Sequence, residues 1–284
     1  MKNIKIALLG VCNSRNTIGS AIRDNDISIE PYIFQPCFLD ITKEGLGIPY
    51  KDFFELPSIA GKEETAIFTK KTMQFDLNKR SLSTIESINP NYLVIDLSTL
   101  TFRTYEIEYK NKKVFSCNAY SPLCYEYIQN SIKDLCFQRI EKSKEDIKSS
   151  LKEFAEYLKS NWDLNKIIIF EYTNPDYYLG LDKKIYKYPD SHWSRRQYNN
   201  IKEFTEFFSS LLPNVRVFKD SDLKVSEHSK GEFERKEQIP SSFHTNEDTQ
   251  KLQGLLFREF IFNKKSQEVE KVKSKILEEI KSCN

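Results

Sequence analysis

Glycine is scarce in this chain, with 8 among 284 residues, and after Gly10 the next is Gly19. That spacing excludes the G-x-G-x-x-G turn of a dinucleotide-binding unit, and no Gly-Lys-Ser/Thr follows Gly10 to make a P-loop. Charge of one sign is missing too. The 43 Lys and Arg stand against 41 Asp and Glu, a net of +2, which calls for neither nucleic acid nor an anionic membrane as partner. No run approaches the roughly 20 apolar residues of a membrane-spanning helix. Residues 4–9 also fall short of a secretory h-region of about 7 to 15 residues, so a cytoplasmic protein is expected. Cysteine pairs at metal spacing are absent. The six cysteines, Cys12, Cys37, Cys117, Cys124, Cys136 and Cys283, contain no C-x-x-C, which argues against a zinc ribbon, a metal site and a disulfide framework. No cofactor is implied.

What is present is an aromatic-rich chain, with 20 Phe and 15 Tyr, long enough to bury a substantial core. Short apolar runs at residues 4–9, 29–34, 92–97, 166–172 and 215–218 read as strands. Between them lie helical patterns near 14–23, 77–88, 122–161 and 198–212, and after the last strand near 248–262 and 267–281. Alternation of this kind implies a doubly wound, mostly parallel five-stranded sheet with helices on both faces. One α/β domain is expected over residues 1–265, with a helical extension over 266–284. An irregular insertion near 36–65 reads either as a rim or lid or as a surface loop. The Lys/Glu run within 122–161 reads as a solvated helix face. The terminal helix carries Val269, Val272, Ile276 and Ile280 on one side, with little chain left to cover them, so a homo-oligomer through it is an open expectation.

The first strand ends at Gly10-Val11-Cys12-Asn13-Ser14-Arg15. In α/β sheets ligands sit beyond the carboxyl ends of the strands, where the N–H groups of the next helix favour negative charge. Two readings of Cys12 stay open: a nucleophile presented by the turn, with Ser14 beside it, or a small buried side chain, as free cysteines commonly are. As a nucleophile in this turn, Cys12 should be partly accessible and the most reactive of the six thiols. The base must come from three histidines. His244, just before the helix near 248, ranks first and His228 second; His192 follows the fourth strand, and Trp193 is next to it.

These blocks resemble the SGNH-hydrolase superfamily. Gly10-Val11-Cys12-Asn13-Ser14 is similar to its G-D-S-x-S/T block, with Cys12 at the serine nucleophile. A closer resemblance is to an uncharacterised bacterial SGNH-like family with G-S-C-x-S-R, D-Y-L-x-x-D-L and P-F-H-Y-like blocks, matched by Asn91-Tyr92-Leu93-Val94-Ile95-Asp96-Leu97 and Pro240-Ser241-Ser242-Phe243-His244. The resemblance implies an esterase or O-acyltransferase acting on a carbohydrate or cell-surface polysaccharide precursor, with Cys12 or Ser14 attacking and His244 as base. It also implies oxyanion or substrate contacts from Gly10, Asn13, Arg15, Ser98, Arg103, His192 and Trp193. The superfamily's D-x-x-H acid is absent, Ser241 standing in its place, so Asp220 or Asp222 is the expected orienting carboxylate. The alternative is a non-catalytic SGNH-fold carbohydrate-binding or assembly protein that stacks sugars on Trp162, Trp193 and Tyr/Phe-rich loops.

Overall fold

The computed structural model of the chain describes residues 3–54, 63–117, 132–229, 238–241 and 244–282. Strand β1 (Ile4–Gly10) leads into helix α1 (Cys12–Ala21), and β2 (Ile27–Phe34) follows. Next come α2 (Tyr50–Phe54), α3 (Glu63–Leu77), α4 (Ser81–Ile88) and β3 (Tyr92–Ile95), which leaves through a 3-10 turn over Leu97–Thr101. Strands β4 (Thr104–Tyr109), β5 (Lys112–Ser116) and β6 (Leu135–Ile140) precede α5 (Lys144–Asn161) and β7 (Ile167–Glu171). The chain closes with β8 (Tyr177–Leu179), β9 (Ile185–Lys187), α6 (Trp193–Leu211), β10 (Arg216–Lys219), β11 (Val225–Ser226), α7 (Glu247–Phe262) and α8 (Gln267–Ser282).

Five of these strands make one all-parallel sheet in the order β2-β1-β3-β7-β10. They are the five apolar runs, and the doubly wound architecture expected from them is the one observed. The pleat splits each run between two cores. Ile6, Leu8, Val94 and Ile168 face Ile18 and Ala21 of α1 and Phe257 of α7. Ala7, Leu9, Leu93, Ile95 and Ile169 face Ile85 of α4, Phe154 of α5 and Phe208 of α6. From β1 the winding goes to β2 on one side and to β3 on the other, so a crevice opens at the carboxyl ends of β1 and β3, where such sheets bind ligands.

Three expectations are corrected. In the insertion near 36–65, the part before α2 is neither lid nor surface loop, since Cys37, Phe38, Leu39 and Ile41 are buried in the main core. A buried cation holds it there: Lys79 Nζ lies 2.6 Å from Asp40 and 3.5 Å from Asp76 and donates to the Phe115 carbonyl at 2.6 Å. Burial opposes the Lys79 charge, but Asp76 and Asp40 outweigh it and raise its pKa. Within the same packing the Cys37 and Cys117 sulfurs approach to 3.0 Å as free thiols. Residues 55–62 of the insertion lie outside the described residues.

Within the region near 122–161, Leu135–Ile140 is the strand β6 rather than helix, and α5 covers Lys144–Asn161. Residues 118–131 are outside the described residues, and β6 pairs antiparallel with β4 in a small separate sheet with β5. Lastly, the apolar stripe of α8 is not left bare: Val269, Val272, Ile276 and Ile280 pack with Val225 and with Leu252 and Leu255 of α7. The expected motive for a homo-oligomer through this helix is thereby removed. No helix among the described residues is long and apolar enough to cross a membrane.

Candidate functional site

Gly10 ends β1 where nothing larger fits, because a Cβ there would stand 2.5 Å from Ser14 Oγ and 3.0 Å from Asp96 Cβ. The turn is knotted from within. Ser14 Oγ donates to the Val11 carbonyl at 3.0 Å and accepts from Val11 N at 3.3 Å. Asp96, at the end of β3, accepts from the Ser98 N–H at 3.0 Å and its hydroxyl at 2.5 Å. Burial pushes the Asp96 carboxyl up, against the hydrogen bonds from Ser98 that favour its charge. Ser14, Asp96 and Ser98 are all fully buried, and their polar groups shape the turn that carries Cys12.

Helix α1 starts at Cys12, and the N–H groups of its first residues have no intrahelical acceptor. The first intrahelical bond of the turn runs from Arg15 N to the Val11 carbonyl. Facing this end is a pocket of about 170 Å³ lined by Val11, Cys12, Asn13, Gln35, Phe102, Ser241 and His244. Cys12 is half-buried; burial pushes its thiol up and Arg15 only partly offsets that. Asn13 is 2% exposed, and its side-chain Nδ2 is buried without a hydrogen-bond partner. A buried amide donor without a partner calls for an explanation, and this one belongs to a residue that lines the pocket.

Parallel packing of α1 and α7 explains how His244 reaches a turn so distant in sequence. Thr17 bonds Gln253 at 3.2 Å, and Arg258 donates to the Ala21 carbonyl at 2.7 Å, so the two helices ascend together and start at the same sheet edge. Gly254 permits the approach, since a Cβ there would lie 2.5 Å from the Ser20 backbone. The loop before α7 is pinned on both sides. Tyr188 Oη donates to the Pro240 carbonyl at 2.9 Å, while Glu227 N donates to the His244 carbonyl and Asn246 N to that of Val225, both at 2.9 Å. Asn246 then caps α7 by accepting from Thr249 N at 3.0 Å.

The other residues expected at the site lie elsewhere. Asp220 is fixed in a buried pair: Lys224 Nζ is 2.5 Å from its Oδ2, with both side chains 0% exposed. Its Oδ1 accepts from the Thr173 N–H and hydroxyl, and Gln253 Nε2 reaches Oδ2 at 3.4 Å. Asp222 is exposed beside Lys219. His228 follows β11 and is half-buried, away from the pocket lining. His192 caps α6, where its Nδ1 meets Ser194 Oγ at 2.7 Å; burial, then Arg195, lowers its pKa. Trp193 stacks beside His192 with ring centroids 5.4 Å apart. Arg15 extends over the Tyr32 ring at 5.7 Å, and Arg103 is exposed. Trp162 packs on the main core.

Gln35 and Phe102 were missed by sequence reasoning. Gln35 directly follows β2 at the ligand-binding edge, donates from N to the Gly10 carbonyl at 2.9 Å, and has φ +52°. Its place after an apolar run was the available signal. Phe102 carried none, because it enters only through the 3-10 turn after β3. Among the described residues no group of three or more His, Cys, Asp or Glu side chains is placed to hold a metal ion.

Fold and pocket define a doubly wound α/β protein with a small pocket at the switch point of its sheet. Compared with known proteins, the chain matches no family model, no curated protein and no solved structure.

Proposed function

We propose that this protein is an SGNH-like esterase or O-acyltransferase for a carbohydrate ester, with Cys12 as nucleophile and His244 as general base. The observation that carries the reading is the meeting of Cys12, Asn13 and His244 on one pocket at the start of α1. Because burial raises the thiol's pKa, Cys12 is not a standing thiolate and depends on a base during attack. Cys12 Sγ bonds the ester carbonyl carbon while its proton passes to His244. The tetrahedral oxyanion is met by N–H groups of the first turn of α1 and by Asn13 Nδ2. Collapse breaks the ester C–O bond, His244 returns the proton to the leaving sugar hydroxyl, and a thioester remains on Cys12. Water or an acceptor hydroxyl, deprotonated by His244, then attacks the thioester and releases Cys12. About 170 Å³ is below the roughly 300–1,000 Å³ of pockets that engulf drug-sized ligands. It suits an acetyl-sized acyl group with the rest of the substrate outside.

Turnover of acetylated sugars and activated acetyl esters tests the reading. Cys12→Ala should abolish it, and His244→Ala should cost about 10² to 10⁴ in rate. The competing reading, a non-catalytic carbohydrate-binding protein, is favoured by Asp220, whose carboxylate is engaged by Lys224 and Thr173 rather than by a histidine. Absence of turnover across that panel selects it.

A further inference from the structure

Beside the pocket runs a wider groove of about 440 Å³, whose lining carries the three cations Lys142, Lys144 and Arg196 and no carboxylate. Its floor includes Leu100 and Thr101, and Phe102, the next residue, lines the small pocket. The two cavities therefore flank one short stretch of chain. Trp193 forms a wall of the groove and leaves 46% of its surface exposed. Gln197 and Asn200 of α6 add amide groups, and Gln197 Oε1 is buried without a partner. Lys144 is partly neutralised by Glu203 at 2.5 Å. Lys142 Nζ sits 3.7 Å over the Phe115 ring, with Glu106 and Asp146 near enough to feel its charge. Arg196 is exposed and makes no ion pair among the described residues. An aromatic face, two amides and a lining with three cations and no carboxylate together fit a sugar ring bearing an anionic group: the ring on Trp193, its hydroxyls on Gln197 and Asn200, and the charge on Arg196 and Lys142.

We propose that this groove binds an anionic sugar unit, its charge a phosphate or a carboxylate, and thereby holds the substrate whose acyl group enters the pocket. The proposal rests on the acyl-transfer reading for its placement of the substrate, but binding needs no turnover, so the two fail separately. Calorimetric titration of the full chain with glucose 1-phosphate, glucuronate, glucose and inorganic phosphate tests it, with intrinsic fluorescence reporting on Trp193. At least one anionic sugar should bind about tenfold tighter than glucose and than inorganic phosphate, and should perturb the tryptophan emission. The tighter of the two tells phosphate from carboxylate. Lys142→Gln with Arg196→Gln should weaken that binding about tenfold with only a small fall in melting temperature, since Arg196 is exposed and Lys142 gives up one cation–π contact with Phe115. Cys12→Ala should bind like the wild type, which keeps the result independent of catalysis. Equal binding of glucose and the anionic sugars, binding of phosphate alone as tight as that of the sugar phosphate, or no effect of the double charge substitution would overturn the proposal.

Discussion

Replacing Asp220 by Asn separates a structural carboxylate from a catalytic one. Asp220 and Lys224 are both fully buried at 2.5 Å, Lys224 also donates to the Thr173 carbonyl, and its ammonium lies 4.1 Å from the Tyr172 ring centre. An amide in place of the carboxylate would leave the ammonium buried without its counter-charge and would weaken the acceptor for Thr173. Removing one partner of a buried pair costs about 3–5 kcal/mol. At roughly 2 °C per kcal/mol for a chain of this size, the melting temperature should fall by about 6–10 °C. Thermal unfolding followed by circular dichroism measures the fall. Asp220→Leu combined with Lys224→Met should recover part of it, because two apolar groups leave no unpaired charge. Below its lowered melting temperature Asp220→Asn should keep most ester turnover. An unchanged melting temperature together with a rate loss as large as that of His244→Ala would refute the argument and make Asp220 the acid that orients the base.

Other outcomes follow from the same contacts. Gly254→Ala gains helix propensity of about 1 kcal/mol but forces a Cβ to within 2.5 Å of the Ser20 backbone. Urea melts should show a net loss of about 1–2 kcal/mol from overpacking, with reduced ester turnover as α7 and its preceding loop shift. Asp26 is held below the usual carboxylate range by its hydrogen bond from Arg258. Its contribution is present above the unfolded pKa of about 4 and is lost as pH falls through the lower folded value; Asp26→Asn should therefore flatten the acid limb of a stability-against-pH curve. With limiting iodoacetamide, mass-spectrometric mapping should find, among the described cysteines, Cys136 labelled before Cys12, and Cys37 and Cys117 last. The reason is that Cys136 is exposed whereas Cys12 is half-buried with a raised pKa, which reverses the rank expected from the turn alone. Alkylation of Cys12 should go on rising with pH to a higher pH than that of an ordinary thiol before it levels off.

The central sheet was legible mainly because β1, β3 and β7 are nearly unbroken apolar runs, such as Ile167–Glu171 with four buried residues in succession. The flanking strands were not. β5 is Lys-Lys-Val-Phe-Ser with two exposed lysines, and β8 and β9 have three residues each, too short to set a period. Helix α8 misled through its stripe, because α7 presents a second apolar side that periodicity on one helix does not reveal. At the site, Cys12 was legible from a strand, a glycine and a helix start, and His244 from its position before the last sheet-covering helix. The engagement of Asp220 by Lys224 was hidden, since nothing in a polar pair four residues apart says that it is buried. The basic groove was hidden as well. Lys142 and Lys144 read as part of a solvated helix face, and only the packing of α5 against α6 brings them opposite Arg196 and Trp193.

On the proposed mechanism Cys12 takes up an acyl group that His244 helps it to receive and release. Intact-protein and peptide mass spectrometry after brief exposure to an activated acetyl ester tests this most directly. The expected result is one acetyl adduct on the peptide carrying Cys12, formed by the wild type, absent in Cys12→Ala, and both slower to form and slower to discharge in His244→Ala. An adduct confined to Cys136 or to surface lysines, identical in all three proteins, would contradict it.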